Sequence, residues 1–299
     1  MSEAWSRWPA PAKLNLFLHI VGRRADGYHL LQTVFQLLDW GDELRLRVRT
    51  DDAIERHAGL DGIDVQADLA VRAAHALRAH SGSTRGVDIA VDKRIPVGAG
   101  LGGGSSDAAT VLVALNELWQ LRLSDDVLAT IGLSLGADVP VFVRGCSAWA
   151  EGIGELLTPI DLPSMSYVIV DPGAHVPTAE LFQASELTRN SPHLTIPGFL
   201  DGVETANAFA PVVRARFPRV AAALDWLGRY GDARLSGSGG CIFVAVASDE
   251  RAAEIALQCP PPYRAYAVRG MNRSPLRVAL DAYRSRQDCA QREHRDALK

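Results

Sequence analysis

The sequence predicts α+β folding in both halves of a chain long enough for two domains. Three observations carry that expectation. Strand-period and helix-period apolar patterns are interspersed along the chain. Each half carries a glycine-rich run beside a strand pattern, at residues 96–107 and 236–240. The 299 residues, 47% of them hydrophobic, supply core for two domains or one large one.

Taken in order, residues 12–21 alternate as a strand does, with Leu14, Leu16, Leu18 and Ile20 on one face and Lys13, Asn15 and His19 on the other. Residues 35–38 and 44–48 read as two more strands, and 67–79 as a helix. Residues 87–91 are a strand pattern and 108–119 a helix pattern, with the first glycine run between them. A helix is expected around 127–135, then strands at 147–151 and 167–171. Between those strands, 158–163 (Thr-Pro-Ile-Asp-Leu-Pro) is the expected domain boundary. The second half holds helix patterns at 178–184, 218–230 and 252–258, and a strand at 241–247. Past Ser285 the tail is charged and polar, which predicts a frayed helix or disorder. The expected domains are 1–160 and 161–285, with a tail at 286–299.

Bulk properties exclude several classes. A net charge of −4 argues against a sequence-independent nucleic-acid binder. Cysteines at 146, 241, 259 and 289 show no C-x-x-C spacing and are too few for a disulfide framework, so a reduced, cytoplasmic setting is expected. The N-terminus lacks the apolar stretch of a signal peptide and no segment has the length of a membrane span, so no membrane partner is expected.

The run Pro96, Val97, Gly98, Ala99, Gly100, Leu101, Gly102, Gly103, Gly104, Ser105, Ser106 is built to hold a phosphate. Five of the seven residues from 98 to 104 are glycine, and a helix pattern follows. Glycine brings backbone close to a ligand, and a helix N-terminus presents unpaired N–H groups. Gly98, Gly100 and Gly103 fit G-x-G-x-x-G, but a dinucleotide site needs an acid at the end of a second strand about twenty residues on. Asp125 and Asp126, the acids at that distance, open a helix pattern instead. Gly98, Gly103 and Ser105 also fit the P-loop spacing, with Gly104 where that motif has lysine. Side-chain charge must then come from outside the loop. A tight turn capping a helix is the bland alternative, but such a turn needs one or two glycines.

Lysine is scarce: among 31 basic residues it occurs only at 13, 93 and 299. A compact ammonium is therefore expected to matter at Lys13 and at Lys93, which lies three residues before Pro96. Asp138, after a small-residue turn in Gly136-Ala137-Asp138-Val139-Pro140, could project a carboxylate into a cleft or simply cap a turn. A lysine beside such a group favours the carboxylate form and assists proton removal from a hydroxyl. The loop with Gly237 and Ser238 could close over phosphates from the second half, or be a plain entry turn. Tyr28 and His29 follow Asp26-Gly27 in a turn; a planar base could stack on the one and be read at its edge by the other.

Together these segments resemble the GHMP kinase family of small-molecule kinases. The resemblance rests on Lys13-Leu14-Asn15-Leu16, on the loop 96–106, on 235–240, on the segment 24–33 with Asp26-Gly27-Tyr28-His29, and on Gly136-Ala137-Asp138-Val139-Pro140. It covers about residues 11–273 and thins between 190 and 230. It implies a two-domain α+β fold with the active site in the cleft between domains. It implies ATP on 98–106 with Mg2+, Gly237 and Ser238 nearby and Lys93 near the adenosine. Asp138 would be the base for the acceptor hydroxyl, Lys13 would lie beside it, and Asn15 would position that hydroxyl. Within the family the match points to a small-molecule cytidine-diphosphate substrate, its base between Tyr28 and Phe182, read by His29, with Thr178 close by. Asp68-Leu69 departs from an Asn-Leu pair common in that branch, which puts an amide contact to adenine in doubt. A monomer or weak homodimer is expected. The alternatives are another acceptor of the same family (mevalonate, phosphomevalonate or homoserine) or a non-catalytic nucleotide-binding relative.

Overall fold

The computed structural model describes residues 4–58 and 64–297. The first three residues of the N-terminal reading, and Lys299, lie outside them. The first half runs β1 (Ser6–Arg23), β2 (His29–Arg49), β3 (Ile54–Ala58), α1 (Leu69–Ser81), β4 (Gly86–Asp92), α2 (Gly103–Leu118), α3 (Asp125–Leu133), α4 (Val139–Arg144), β5 (Ala148–Glu151) and β6 (Leu156–Pro159). The second runs β7 (Ser166–Asp171), α5 (Thr178–Gln183), α6 (Ile196–Leu200), α7 (Ala210–Arg216), α8 (Pro218–Leu227), β8 (Arg234–Leu235), β9 (Ile242–Val246), α9 (Asp249–Leu257), β10 (Arg264–Met271) and α10 (Pro275–Ala297).

β1 and β2 form a long antiparallel hairpin. It pairs Lys13 with Leu37 and Asn15 with Phe35, and irregularities after Pro11 and after Asn15 interrupt the register. Such bulges re-aim side chains, and here Lys13 and Asn15 are both buried between them. The sheet order is β3-β4-β2-β10-β7-β9-β8, with β1 and β5 also on β2 and β6 on β5. β10 is the bridge. It pairs with β7 along Arg264 to Arg269 and meets β2 at Gly270 and Met271.

Hydrophobic clusters in both halves and at their junction follow from this topology. Leu44, Leu46, Ile89, Leu77, Leu112 and Phe142 pack the helices of the first half on its strands. Val168, Val170, Ile242 and Val244 pack against Leu224, Leu227 and Ile255 in the second. A third cluster draws on both halves, with Ala12, Leu14 and Leu38 meeting Leu101, Ile169 and Phe243. Leu101 belongs to the first glycine run, so this cluster seats the loop over the junction.

Several elements differ from the sequence expectation. The two strands at 35–38 and 44–48 are one, β2, because the polar stretch between them is paired with β1 instead of turning. Gly41 permits that pairing: a Cβ there would lie 2.1 Å from the Ala10 carbonyl oxygen. The expected boundary at 158–163 begins inside β6, which pairs with β5. α2 starts within the glycine run, at Gly103, rather than after it. Of the two outcomes expected for the polar tail, a helix is the one found: α10 runs to Ala297 and returns Leu276 and Leu280 to the first core. α4 spans six residues, too few to show a helical period in sequence.

Candidate active site

Gly102, in the left-handed region at φ 76°, is the N-cap of α2, and Ser106 N–H closes the first helical turn onto its carbonyl at 2.8 Å. The amides of Gly103, Gly104 and Ser105 therefore have no helical acceptor, which makes this end of α2 an anion seat. Backbone bonds hold the loop from both halves. Lys13 N–H donates to Leu101 O at 3.0 Å and Cys241 N–H to Ala99 O at 3.1 Å.

The second glycine run packs against the first. At Gly100, φ 79°, a Cβ would sit 2.1 Å from Ser236 O, and at Gly239 a Cβ would sit 2.1 Å from Ala99 C and Gly100 N. Backbone meets backbone, so neither position has room for a side chain. Ser236 Oγ donates to Gly100 O at 3.0 Å and accepts from Asn15 N–H at 3.3 Å. Gly239→Ala is expected to destabilise the fold by about 1–3 kcal/mol through overpacking. Denaturant unfolding measures this, and an unchanged midpoint would show that the loops can part freely.

The structure places Lys13, Asn15 and Asp138 side by side. The Lys13 ammonium donates to Asn15 Oδ1 at 2.5 Å and to Gly100 O at 3.0 Å, and lies 3.3 Å from Asp138 Oδ2. Asn15 Nδ2 donates in turn to Thr33 Oγ1 at 3.0 Å, whose hydroxyl is bonded to Phe17 O. Asp138 stands at the N-cap of α4 but its carboxylate makes no capping bond. With its side chain one-third exposed, that carboxylate faces the cleft.

Lys93 lines the loop cavity, and its ammonium is bonded to two carboxylates, Asp42 and, at 2.8 Å, Asp107. Asp42 also accepts the amides of Arg94 and Ile95 at 2.6 and 2.8 Å. Asp68 caps α1 through Ala70 N–H at 2.9 Å and is bonded to Arg56 at 2.8 Å, so both its oxygens are engaged. Ser106 departs from expectation. The sequence reading sets it against ATP, but because α2 begins at Gly103 its side chain falls one turn in and is fully buried beneath the cleft.

At the other end, Tyr28 is 61% exposed and shares a cavity with His29 and Phe182. Phe182 is stacked on His29 itself, centroids 4.9 Å apart at 26°. Thr178 Oγ1 and Ser238 Oγ are hydrogen-bonded at 2.8 Å, joining α5 to the second glycine run. Gly98, Gly100 and Ser105 line both the loop cavity and the one around Lys13 and Asp138. Leu31, Ala137, Ile153 and Phe182 line both that one and the Tyr28–His29 cavity. The three form one continuous cleft.

Comparison with known proteins matches residues 68–146 to the GHMP kinases N terminal domain and 186–264 to the GHMP kinases C terminal domain. A 4-diphosphocytidyl-2-C-methyl-D-erythritol kinase of Xanthomonas campestris pv. campestris (strain B100) is 59% identical over 282 residues, 94% of this chain and 96% of the relative. The chain belongs to the GHMP kinase family. A kinase of the same description from Halorhodospira halophila is 56% identical over 92% of this chain and 96% of its own. A crystal structure of 4-(cytidine 5'-diphospho)-2C-methyl-D-erythritol kinase superposes with TM-score 0.77 at 34% identity, covering 89% of this chain and 100% of that one.

In this GHMP kinase several residues that build the site gave no local signal. Asn207 donates to the carbonyls of Leu235 and Gly237, at 2.9 and 2.8 Å, and so shapes the second glycine run from a stretch where the family pattern thins. Asp42 lies in the gap between the strands predicted at 35–38 and 44–48. Asp107 was visible, directly after the two serines, but its role depends on burial. Burial pushes its carboxyl up to about 7, against the pull of Lys93 and with the help of Asp42. The folded kinase therefore keeps a proton there to higher pH than the unfolded chain does, and Asp107 is a full carboxylate partner of Lys93 only above about pH 7. The stabilisation from that proton is complete below pH ~4 and lost as pH rises toward 7. Asp107→Asn should remove this loss, flattening the fall of stability between pH 5 and 7 by up to about 1.4 kcal/mol per unit. Urea midpoints at pH 5, 6, 7 and 8 test it; an unaltered slope would assign the proton elsewhere.

Proposed function

We infer that this kinase transfers the γ-phosphoryl group of ATP to the 2-hydroxyl of 4-diphosphocytidyl-2-C-methyl-D-erythritol, a step of non-mevalonate isoprenoid synthesis. The observation that carries the reading is the continuous cleft. It runs from the α2 amides, past Lys13 and Asp138, to the aromatic end at Tyr28 and His29. The names of relatives near 59% identity supply the acceptor.

Phosphoryl transfer needs positioning and electrostatic stabilisation more than covalent help. The free amides of Gly103, Gly104 and Ser105 and the helix dipole would seat the ATP phosphates. The acceptor hydroxyl would approach between that seat and Asp138, oriented by Asn15. Asp138 accepts the hydroxyl proton, the hydroxyl oxygen bonds to the γ-phosphorus, and the bond to the bridging oxygen breaks to release ADP. The proton on Asp138 then passes to solvent through its exposed side. Lys13 stabilises negative charge between carboxylate and phosphate.

Mg2+ takes oxygen donors and usually keeps several waters and substrate phosphates in its shell. Ser105, whose hydroxyl lies in the same stretch of cleft as Asp138, fits that requirement and would hold the ion together with the phosphates. When bound, the ion neutralises phosphate charge. Pairing Lys93 with two carboxylates makes it a support for the loop at the adenosine end rather than a free cation there.

Purified protein is offered ATP and magnesium with the cytidine substrate, and separately with mevalonate, phosphomevalonate, homoserine and galactose. ADP release with the cytidine substrate alone is the expected result. Preference for another acceptor would sink the assignment, and no turnover with any of them would favour a binding protein.

A further inference from the structure

Thr33 lies on β2 opposite Leu18 of β1 and is 1% exposed. Its hydroxyl hydrogen goes to the carbonyl of Phe17, a residue in the irregularity between Asn15 and Leu18 where β1 leaves the register of β2. With its hydrogen spent, that hydroxyl can only accept from Asn15, whose Nδ2 donates to it at 3.0 Å. Asn15 Oδ1 is thereby turned to the Lys13 ammonium, 2.5 Å away. An ammonium only donates and a carbonyl only accepts, so the chain from Lys13 through Asn15 and Thr33 to Phe17 runs in one direction. Turning the amide over would set its NH2 against the ammonium and leave Oδ1 and the Phe17 carbonyl competing for one hydroxyl hydrogen. Burial of all three side chains makes either conflict costly.

The three hydrogens of the ammonium meet Asn15 Oδ1, Gly100 O at 3.0 Å and Asp138 Oδ2, which stands off at 3.3 Å. Gly100 belongs to the glycine loop, so Asn15 is the acceptor that ties the ammonium to the β1–β2 hairpin. We propose that Thr33 is a positioning residue for phosphoryl transfer, acting through the Asn15 amide to hold the Lys13 ammonium at Asp138. The proposal rests on reading Lys13 and Asp138 as the transfer centre. Without the Thr33 hydroxyl nothing fixes which end of the Asn15 amide faces Lys13, and the ammonium loses its hold on the hairpin. Thr33 also lines the cavity around Lys13 and Asp138, so direct contact with the acceptor is the competing role.

A kinetic cycle on the full chain separates the two roles, using wild type, Thr33→Val, Lys13→Met and the double variant, with ATP and the cytidine substrate varied in turn. Valine keeps the branched shape and drops the hydroxyl. Thr33→Val should lower kcat about tenfold, as a misplaced group does, with KM for both substrates within about twofold of the wild type. In the Lys13→Met protein the same change should lower kcat by less than about twofold more, because the group it positions is gone. Thr33→Ser keeps the hydroxyl and should return kcat to within about threefold of the wild type. Thermal melts of each protein set the temperature of the assays below unfolding. Should the valine protein not fold, Thr33→Cys, a weak donor and weak acceptor, takes its place in the cycle. Equal fold losses of kcat in both backgrounds overturn the proposal, as does a serine protein no better than the valine one. A raised KM for the cytidine substrate with kcat unchanged also overturns it, in favour of direct contact. If ADP forms with another acceptor and not with the cytidine substrate, the acceptor assignment falls alone, and the cycle run with that acceptor decides Thr33 by the same ratios. Wild type that forms ADP with no acceptor overturns both.

Discussion

Asp138→Asn is expected to lower kcat by about 100- to 10,000-fold, the span of a lost general base. Asparagine keeps the size and shape of the side chain but accepts no proton at neutral pH. The fold should tolerate the change, because the Asp138 carboxylate makes no capping bond at the start of α4. The neighbouring ammonium also keeps its partners on Asn15 and Gly100. Cytidine-substrate KM should move little, since the aromatic end of the cleft is untouched. Steady-state kinetics with saturating ATP, beside a thermal melt of each protein, measures both parts. Turnover near the wild-type value would remove Asp138 from proton transfer, and a lowered kcat with an unfolded melt would make its role structural.

Lys13→Ala should cost about 100-fold or more in kcat and also weaken the fold. Lys13 is 3% exposed, so its side chain cannot be replaced by solvent without opening the core. Its removal leaves the buried Asn15 Oδ1 without its donor, at about 1–3 kcal/mol for an unsatisfied buried group. Gly100 O retains the Ser236 hydroxyl, which limits the damage to the loop. Lys13→Met separates the two effects: it fills the space, so stability should recover in part while kcat stays low. Arginine should not rescue. A Cβ on Gly102 would lie 3.2 Å from Lys13 Cε, so the larger guanidinium would press on the loop it must support. If the Lys13→Met protein turns over like the wild type, the ammonium has no part in the chemistry.

Most of this site was legible because its residues are punctuated by composition. A chain that uses lysine so rarely marks Lys13 and Lys93, and a glycine run with five glycines in seven positions marks the loop. What misled was the local reading of strength. Asp39 to Glu43 falls in the gap between two predicted strands, but pairing with β1 makes it strand and places Asp42 against Lys93. Gly103 to Asp107 reads as loop by helix propensity, but α2 begins there and turns Ser106 into the core. The second glycine run reads as either a closing loop or a plain entry turn; its backbone is packed on residues 99–100, with Gly237 and Ser238 left to line the cleft.

By itself the sequence determined which groups are available: a glycine-rich helix start, two scarce lysines, a carboxylate at 138 and an aromatic–imidazole turn. Those are properties of residue type and local spacing, and they survive any uncertainty in topology. Only the tertiary structure decided what each group is bonded to. It brought Asp138 to 3.3 Å from Lys13 across 125 positions, and spent the Lys93 charge on two carboxylates. It also set Thr33 behind Asn15. Such contacts depend on burial and on strand pairing between distant segments, and neither is written in the residues near the site.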